Sequence, residues 1–337
     1  MLNQKNFQLK YQRNWVVFTY VIVIALLLSG CGVSPAPKVY HVGILGVASF
    51  PDATTGFKAQ MTELGYVEGE NIVYDEQVFD PATSEGILKK FVADKVDLIF
   101  AYSTASALAA KAATQGTNIP VVFALVTIEG NDVVESQRQP GGNITGARFP
   151  APEITAKRFE ILLEIMPQLK RLYVTYDVKY PTAKSVLGAL RPVAEDAGVT
   201  LIEEQITKAE DIPTNLAARE ASNDIGMDAI LILPETLSQS AIGYGAISEF
   251  AATHRIPVIG NIRPQLEQGA LFMYAPAVID GGKQAALLAD KVFKGTPAGT
   301  LPVVTPESRL IINYKVAQEL GLTIPEGLLT QAFEVIR

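Results

Sequence analysis

Residues 96–125 read VDLIFAYSTASALAAKAATQGTNIPVVFAL, and the fold class follows from this stretch. Residues 96–101 and 119–125 are short apolar runs of strand length, while residues 105–113 between them are rich in alanine and read as a helix. Strands that are apolar throughout and alternate with helices belong in a parallel sheet covered on both faces. The same alternation extends upstream. Residues 39–45 read as a strand, Phe57, Met61 and Leu64 recur at helical spacing, residues 71–78 form a second strand, and Ile87, Leu88, Phe91 and Val92 share one helical face. Downstream, Pro140-Gly141-Gly142-Asn143 punctuates the chain and marks the exit from a first lobe.

The pattern then restarts. Strands are expected at residues 171–176, 200–204, 228–233 and 256–259, with Val186, Leu187, Leu190 and Val193 marking a helix. Val96-Asp97-Leu98-Ile99-Phe100 is echoed by Met227-Asp228-Ala229-Ile230-Leu231, and Asn118-Ile119-Pro120-Val121-Val122 by Arg255-Ile256-Pro257-Val258-Ile259. Two phrases repeated in the same order indicate two copies of one α/β lobe. The tail adds a strand at 271–274, a helix at 281–293, a strand within 303–312 and a helix at 314–320. If the chain returns to the first lobe after Tyr274 and leaves it again near Thr305, three segments join the lobes. The expected architecture is therefore α/β, with two doubly wound lobes of parallel sheet on a multi-strand hinge. Lobe 1 comprises residues 39–146 plus 276–304, and lobe 2 residues 147–275 plus 305–337. A hinge of this kind over a cleft suits a clamp on a small molecule.

The N-terminus addresses the compartment. Lys5, Lys10 and Arg13 precede an apolar run from Trp15 to Leu28, and Ser29, Gly30 and Cys31 follow it. That order is a charged region, a hydrophobic region and a small-residue cleavage site, and the run is shorter than the roughly 20 residues a membrane-spanning helix needs. Leu28-Ser29-Gly30-Cys31 resembles a bacterial lipobox, in which cleavage precedes a cysteine that carries a diacylglyceryl group. Cys31 is the only cysteine, so no disulfide within the chain is possible. The expectation is a signal peptide at residues 1–30, a tether at 31–38, and an extracytoplasmic lipoprotein anchored to a membrane through Cys31. The formal net charge of −7 becomes more negative once Lys5, Lys10 and Arg13 are removed, and such a surface repels nucleic acid. Enzyme chemistry finds little support. With Cys31 lipidated, only His41 and His254 remain, both placed as structural residues, and neither a Gly-x-Gly-x-x-Gly fingerprint nor a phosphate loop occurs. No cofactor is expected.

From about Tyr40 to Phe333 the sequence resembles the tryptophan/tyrosine-type substrate-binding proteins of ABC transporters. The likeness is carried by Gly43-Ile44-Leu45, Gly56-Phe57, residues 63–71 (ELGYVEGEN), residues 91–99 (FVADKVDLI), residues 119–123 (IPVVF), residues 140–146 (PGGNITG) and residues 320–325 (LGLTIP). The resemblance implies a type I periplasmic-binding-protein fold and a lipoprotein that works with a permease and a cytoplasmic ATPase; the chain itself is expected to be a monomer. A sensory receptor docking on a membrane kinase or chemoreceptor would share the same fold.

Ligands of open parallel sheets sit beyond the carboxyl ends of the strands. In lobe 1 these ends carry Ser49, Phe50, Asp52, Tyr102, Ser103, Thr104 and Thr127, and in lobe 2 Tyr176, Asp177, Glu235, Thr236, Asn261 and Arg263. Ser103 and Thr104 stand just before a helix, where they either cap it or hold a carboxylate, and one residue can do both. Arg148 at the hinge and Arg263 either grip a carboxylate bidentately or pair on the surface. Tyr102, Phe149, Tyr176 and Tyr274 are candidate apolar walls. Relatives carry Thr-Asp-Pro where this chain has Thr127-Ile128-Glu129, Pro-Thr-Asp-Asn where it has Pro234-Glu235-Thr236-Leu237, an acidic pair at Ile262 and Arg263, and an aspartate near Ala277. With those carboxylates missing and two arginines present, the sequence points to a small anionic or amino-acid-like solute.

Overall fold

The computed structural model describes residues 38–48, 50–222 and 224–337, and within them the chain lays down two open sheets. The signal peptide expected at residues 1–30, the expected lipidation site Cys31, the expected tether up to Pro37, and Ser49 lie outside the described residues. In lobe 1, β1 (Tyr40–Gly46), β2 (Ile72–Val78), β3 (Leu98–Tyr102), β4 (Val121–Val126) and β5 (Ile144–Arg148) form a five-stranded parallel sheet in the order β2-β1-β3-β4-β5. Its helices are α1 (Pro51–Glu63), α2 (Ser84–Ala93) and α3 (Thr104–Ala113). β3 is buried at every position because it lies between two apolar layers, one containing Phe57 and Phe100 and the other Leu88, Phe91 and Phe123.

Lobe 2 repeats the plan. β6 (Arg171–Asp177), β7 (Thr200–Ile206), β8 (Ala229–Leu231), β9 (Val258–Gly260) and β10 (Phe272–Pro276) run in the corresponding order β7-β6-β8-β9-β10, and β11 (Ser308–Asn313) and β12 (Glu334–Ile336) extend the sheet to seven strands. The helices before β10 are α4 (Ala151–Ile165), α5 (Ala183–Asp196), α6 (Asp211–Glu220), α7 (Ala241–His254) and α8 (Arg263–Glu267); then come α9 (Val278–Phe293), α10 (Tyr314–Leu320) and α11 (Glu326–Gln331).

The repeated phrases perform the same task in each lobe. Asp97 accepts the backbone N–H of His41 at 2.8 Å, and Asp228 accepts that of Arg171 at 2.8 Å, so each aspartate pins the start of its lobe's first strand. Pro120 and Pro257 each lend a carbonyl to the N–H of Ile99 and Ile230 respectively, opening the next parallel ladder.

Three segments cross between the sheets. β5 runs through Phe149 and Pro150 into α4 of lobe 2. β10 ends at Pro276, and the chain passes into α9, which packs on α1, β4 and β5 of lobe 1. Val304, bridged to Ala147 of β5, then leads back to β11. β11 lies antiparallel to β10, where the sequence pattern suggested parallel strands only. The topology requires this: the chain leaves lobe 2 at the hinge end of β10 and re-enters at that same end, so it can only run back. Residues 144–148, directly after the Pro140–Asn143 punctuation and not read as a strand in the sequence, pair with β4 as β5.

Candidate functional site

The carboxyl ends of both sheets face a cavity of about 480 Å³ that takes residues from each lobe and from the first two crossings. Lobe 1 contributes the starts of α1, α3 and α9. Ser103 has φ of +106°, a conformation L residues seldom adopt, and it caps α3 by accepting the N–H of Ser106 at 3.2 Å. Leu125, with φ of +55°, stands at a register shift of β4 and lines the cavity. Strained backbone at two neighbouring strand ends is how a scaffold spends stability to aim groups at a site. Thr104 Oγ1 accepts the Thr127 N–H at 3.1 Å and Thr127 Oγ1 donates to the Phe149 carbonyl at 3.1 Å, so the α3 start is tied to the first crossing. These helix starts carry unpaired N–H groups and partial positive charge.

Lobe 2 presents a carboxylate. Glu235 is 3 % exposed and folds onto its own turn, accepting Leu237 N–H at 2.7 Å and Ser238 N–H at 2.5 Å. Desolvation pushes its pKa up to about 7, with the charge of Asp177 acting in the same direction and the hydrogen bonds from Ser238 and Leu237 opposing it. Tyr180 also lines the cavity, and its hydroxyl is held above the ordinary phenol range by desolvation and by the charges of Glu235 and Asp177. Beside them Gln239 donates to the carbonyl of Glu235 at 2.9 Å and accepts from Asn261 at 3.2 Å, while Gln265 Oε1 takes the Asn261 N–H at 2.6 Å.

Of the residues singled out in the sequence, Phe50, Asp52, Ser103, Thr104, Thr127, Phe149, Glu235, Thr236, Asn261 and Arg263 line the cavity. Tyr102 does not, because its ring packs against Gly46 and Phe100 inside lobe 1 and its hydroxyl meets Thr54 at 3.3 Å. Tyr176 is buried in the lobe 2 core. Asp177 lies behind the wall, acting on Glu235 through charge and accepting the Lys179 N–H at 2.8 Å. Tyr274 lies on the opposite face of β10 from Met273 and Ala275, in a separate depression beside Lys157 and Glu307, because successive strand residues alternate faces.

Both arginines take the second of the two readings open to them, pairing with carboxylates of the chain. Arg148 is held at the hinge by Glu129, by Glu153 at 3.0 Å and by Thr305 at 2.9 Å, outside the cavity. Arg263 reaches the rim, but Glu334 holds it with two bonds of 2.7 and 2.8 Å. Arg309, unnoticed in the sequence, also lines the cavity and is paired with Asp280 at 3.0 Å. Each arginine of the lining thus has a carboxylate of the chain, and the arginines no longer argue for an anionic solute. Conversely, neither Asp52 nor Glu235, the two carboxylates of the lining, has a basic partner among the described residues. Apolar surface comes from Phe50, Leu125, Phe149, Met273, Ile311 and Phe333.

The match to known proteins agrees with this geometry. Residues 42–336 match the ABC transporter substrate binding protein family. The chain belongs to that family. Substrate-binding proteins of ABC transporters are extracytoplasmic receptors rather than enzymes. A curated relative, a tyrosine-binding protein of Clostridioides difficile strain R20291, is 29 % identical over 294 residues, covering 85 % of this chain and 82 % of its own. Among solved structures, a conserved domain protein of Vibrio cholerae is similar with a TM-score of 0.80 at 27 % identity, covering 88 % of this chain and all 100 % of its own. A substrate-binding protein with adhesive properties from Clostridium difficile, in a ligand-free open structure, has a TM-score of 0.65 at 27 % identity over 88 % of this chain and 99 % of its own. A Streptococcus pneumonia ABC domain solved with L-Trp shares the fold, with a TM-score of 0.79 at 24 % identity over 89 % of this chain and 100 % of its own. In this substrate-binding protein, as in any receptor of two lobes, the solute site is sought between them, where the cavity lies.

Proposed function

We propose that this protein captures a zwitterionic α-amino acid with an apolar, aromatic-sized side chain and delivers it to an ABC importer. The observation that carries the reading is the charge distribution of the cavity: Asp52 and Glu235 have no basic partner, whereas Arg263 and Arg309 are already paired. A ligand ammonium answers those carboxylates, a ligand carboxylate answers the N–H groups at the starts of α1, α3 and α9, and the aromatic and aliphatic lining takes the side chain. The tyrosine-binding relative and the L-Trp complex of a structural neighbour support the same ligand class. Residues 1–30 act as a signal peptide and Cys31 carries the lipid that holds the protein, as a monomer, beside its permease and ATPase.

Calorimetry on the chain from Gly32 onward tests the ligand class. L-Tyrosine, L-tryptophan or L-phenylalanine should bind, while tyramine, which lacks the carboxylate, and 3-(4-hydroxyphenyl)propionate, which lacks the amine, should bind at least tenfold more weakly. Equal affinity for the amine-free acid would refute the assignment of Asp52 and Glu235. The anchor is tested separately by fractionating cells that express Cys31→Ser, which should release the protein from the membrane.

A further inference from the structure

Arg158, on α4, is the largest wholly buried side chain among the described residues, and its position is costly. One nitrogen, Nη1, donates to the carbonyls of Ile232 at 2.9 Å and Gly260 at 3.2 Å, while Nε and Nη2 have no partner. No carboxylate among the described residues offsets the charge. Burial alone pushes the guanidinium down to about 9, so it remains protonated at neutral pH. A side chain kept for stability at this point would be apolar, like its helix neighbours Ile154, Phe159, Ile161 and Leu162, since an unpaired buried charge is among the most destabilising groups a core can hold.

The two carbonyls explain what it does. The β8–β9 ladder pairs Leu231 with Ile259 and ends one bond later, where Ile232 donates to the Ile259 carbonyl at 3.0 Å. From there the strands separate into the two segments that build the lobe 2 wall: Ile232 leads through Pro234 to Glu235, and Gly260 leads directly to Asn261. Arg158 supplies the tie that the ladder no longer provides, and a guanidinium can reach both chains where an apolar side chain could hold neither. The segment is imperfectly satisfied as well, because Asn261 Oδ1 and Gln265 Nε2 are buried without partners.

We infer that Arg158 is a positioning residue, retained at the expense of stability to fix Glu235 and Asn261 in the cavity wall. The inference rests on the cavity being the solute site. Arg158→Met keeps the volume and removes the tie. Hydrogen exchange of the unliganded protein should then quicken in residues 233–239 and 260–265 and stay unchanged in β6 and β7. The melting temperature should not fall, and affinity for L-tyrosine should drop at least tenfold. Arg158→Lys, which keeps a charged donor on a similar stem, should recover part of both effects. Unchanged exchange in the two segments overturns the inference, and so does faster exchange throughout lobe 2 with a lower melting temperature, which would mark Arg158 as an ordinary structural residue. If L-tyrosine fails to bind the wild type, the amino-acid reading falls, and the exchange pattern still decides the role of Arg158.

Discussion

Glu235 shows how one residue can combine a structural and a binding task. Its carboxylate closes the turn to Leu237 and Ser238 and faces the cavity with its pKa lifted to about 7 by desolvation. A carboxylate whose folded pKa lies above its ordinary value contributes stability that is fully present below pH 4.5 and lost as pH rises toward 7. An ammonium brought against it reverses that shift, so binding releases a proton. Affinity for L-tyrosine should therefore rise between about pH 5 and 7, by up to tenfold per pH unit, and level off above. Glu235→Gln should flatten the profile and weaken binding at pH 8 by about 2 kcal/mol or more, with titration calorimetry at several pH values as the measurement. A wild-type affinity that falls as pH rises would remove Glu235 from the ammonium site. At this scale the sequence was only partly legible. Position after a strand was enough to find Ser103, Thr127, Glu235 and Asn261, but Tyr180, Gln239 and Arg309 follow from loop paths and from an antiparallel strand that no local pattern announces. Ion pairing was equally hidden: Glu334 lies 71 residues from Arg263, and nothing in either neighbourhood says that they meet.

Among the elements, α1 and α9 decide whether the second crossing can return to lobe 1. Their axes approach until backbone meets backbone: a Cβ on Gly282 would lie 2.0 Å from the Ala53 carbonyl oxygen, and one on Gly56 2.2 Å from that of Ile279. Both helices also start at the cavity wall, so their separation sets the spacing of the N–H groups there. In a helix without such a neighbour, Gly→Ala gains about 0.5–1 kcal/mol from propensity. Gly282→Ala should instead destabilise this protein, by about 1–3 kcal/mol from overpacking, and thermal or urea unfolding reads the sign directly. A stabilised variant would mean that the close approach is dispensable. The alternation of strands and helices in both lobes was readable because apolar runs and helical stripes are local signals. The direction of β11 was not, since it is fixed by where the chain re-enters the sheet rather than by its own residues.

At the scale of the whole molecule, the duplicated lobes meet not only at the hinge but across the cleft. Gly130, in the lobe 1 loop after β4, lies against Ser185 of α5 in lobe 2, and a Cβ on the glycine would sit 3.0 Å from that of the serine. With φ of +77° the position also favours glycine on backbone grounds. This contact can form only when the lobes are near one another, so it belongs to the arrangement in which both walls surround the cavity. A ligand touching both walls stabilises that arrangement by its differential affinity, and a bulky group at residue 130 should oppose it. Small-angle scattering of the wild type should show a smaller radius of gyration with saturating L-tyrosine than without it. Gly130→Phe should remain larger than the ligand-saturated wild type and bind at least tenfold more weakly, while its unfolding free energy falls only by the roughly 1–2 kcal/mol that a side chain at positive φ costs. A variant as compact as the wild type in the presence of ligand, with the same affinity, would show that the Gly130–Ser185 contact is incidental to closure.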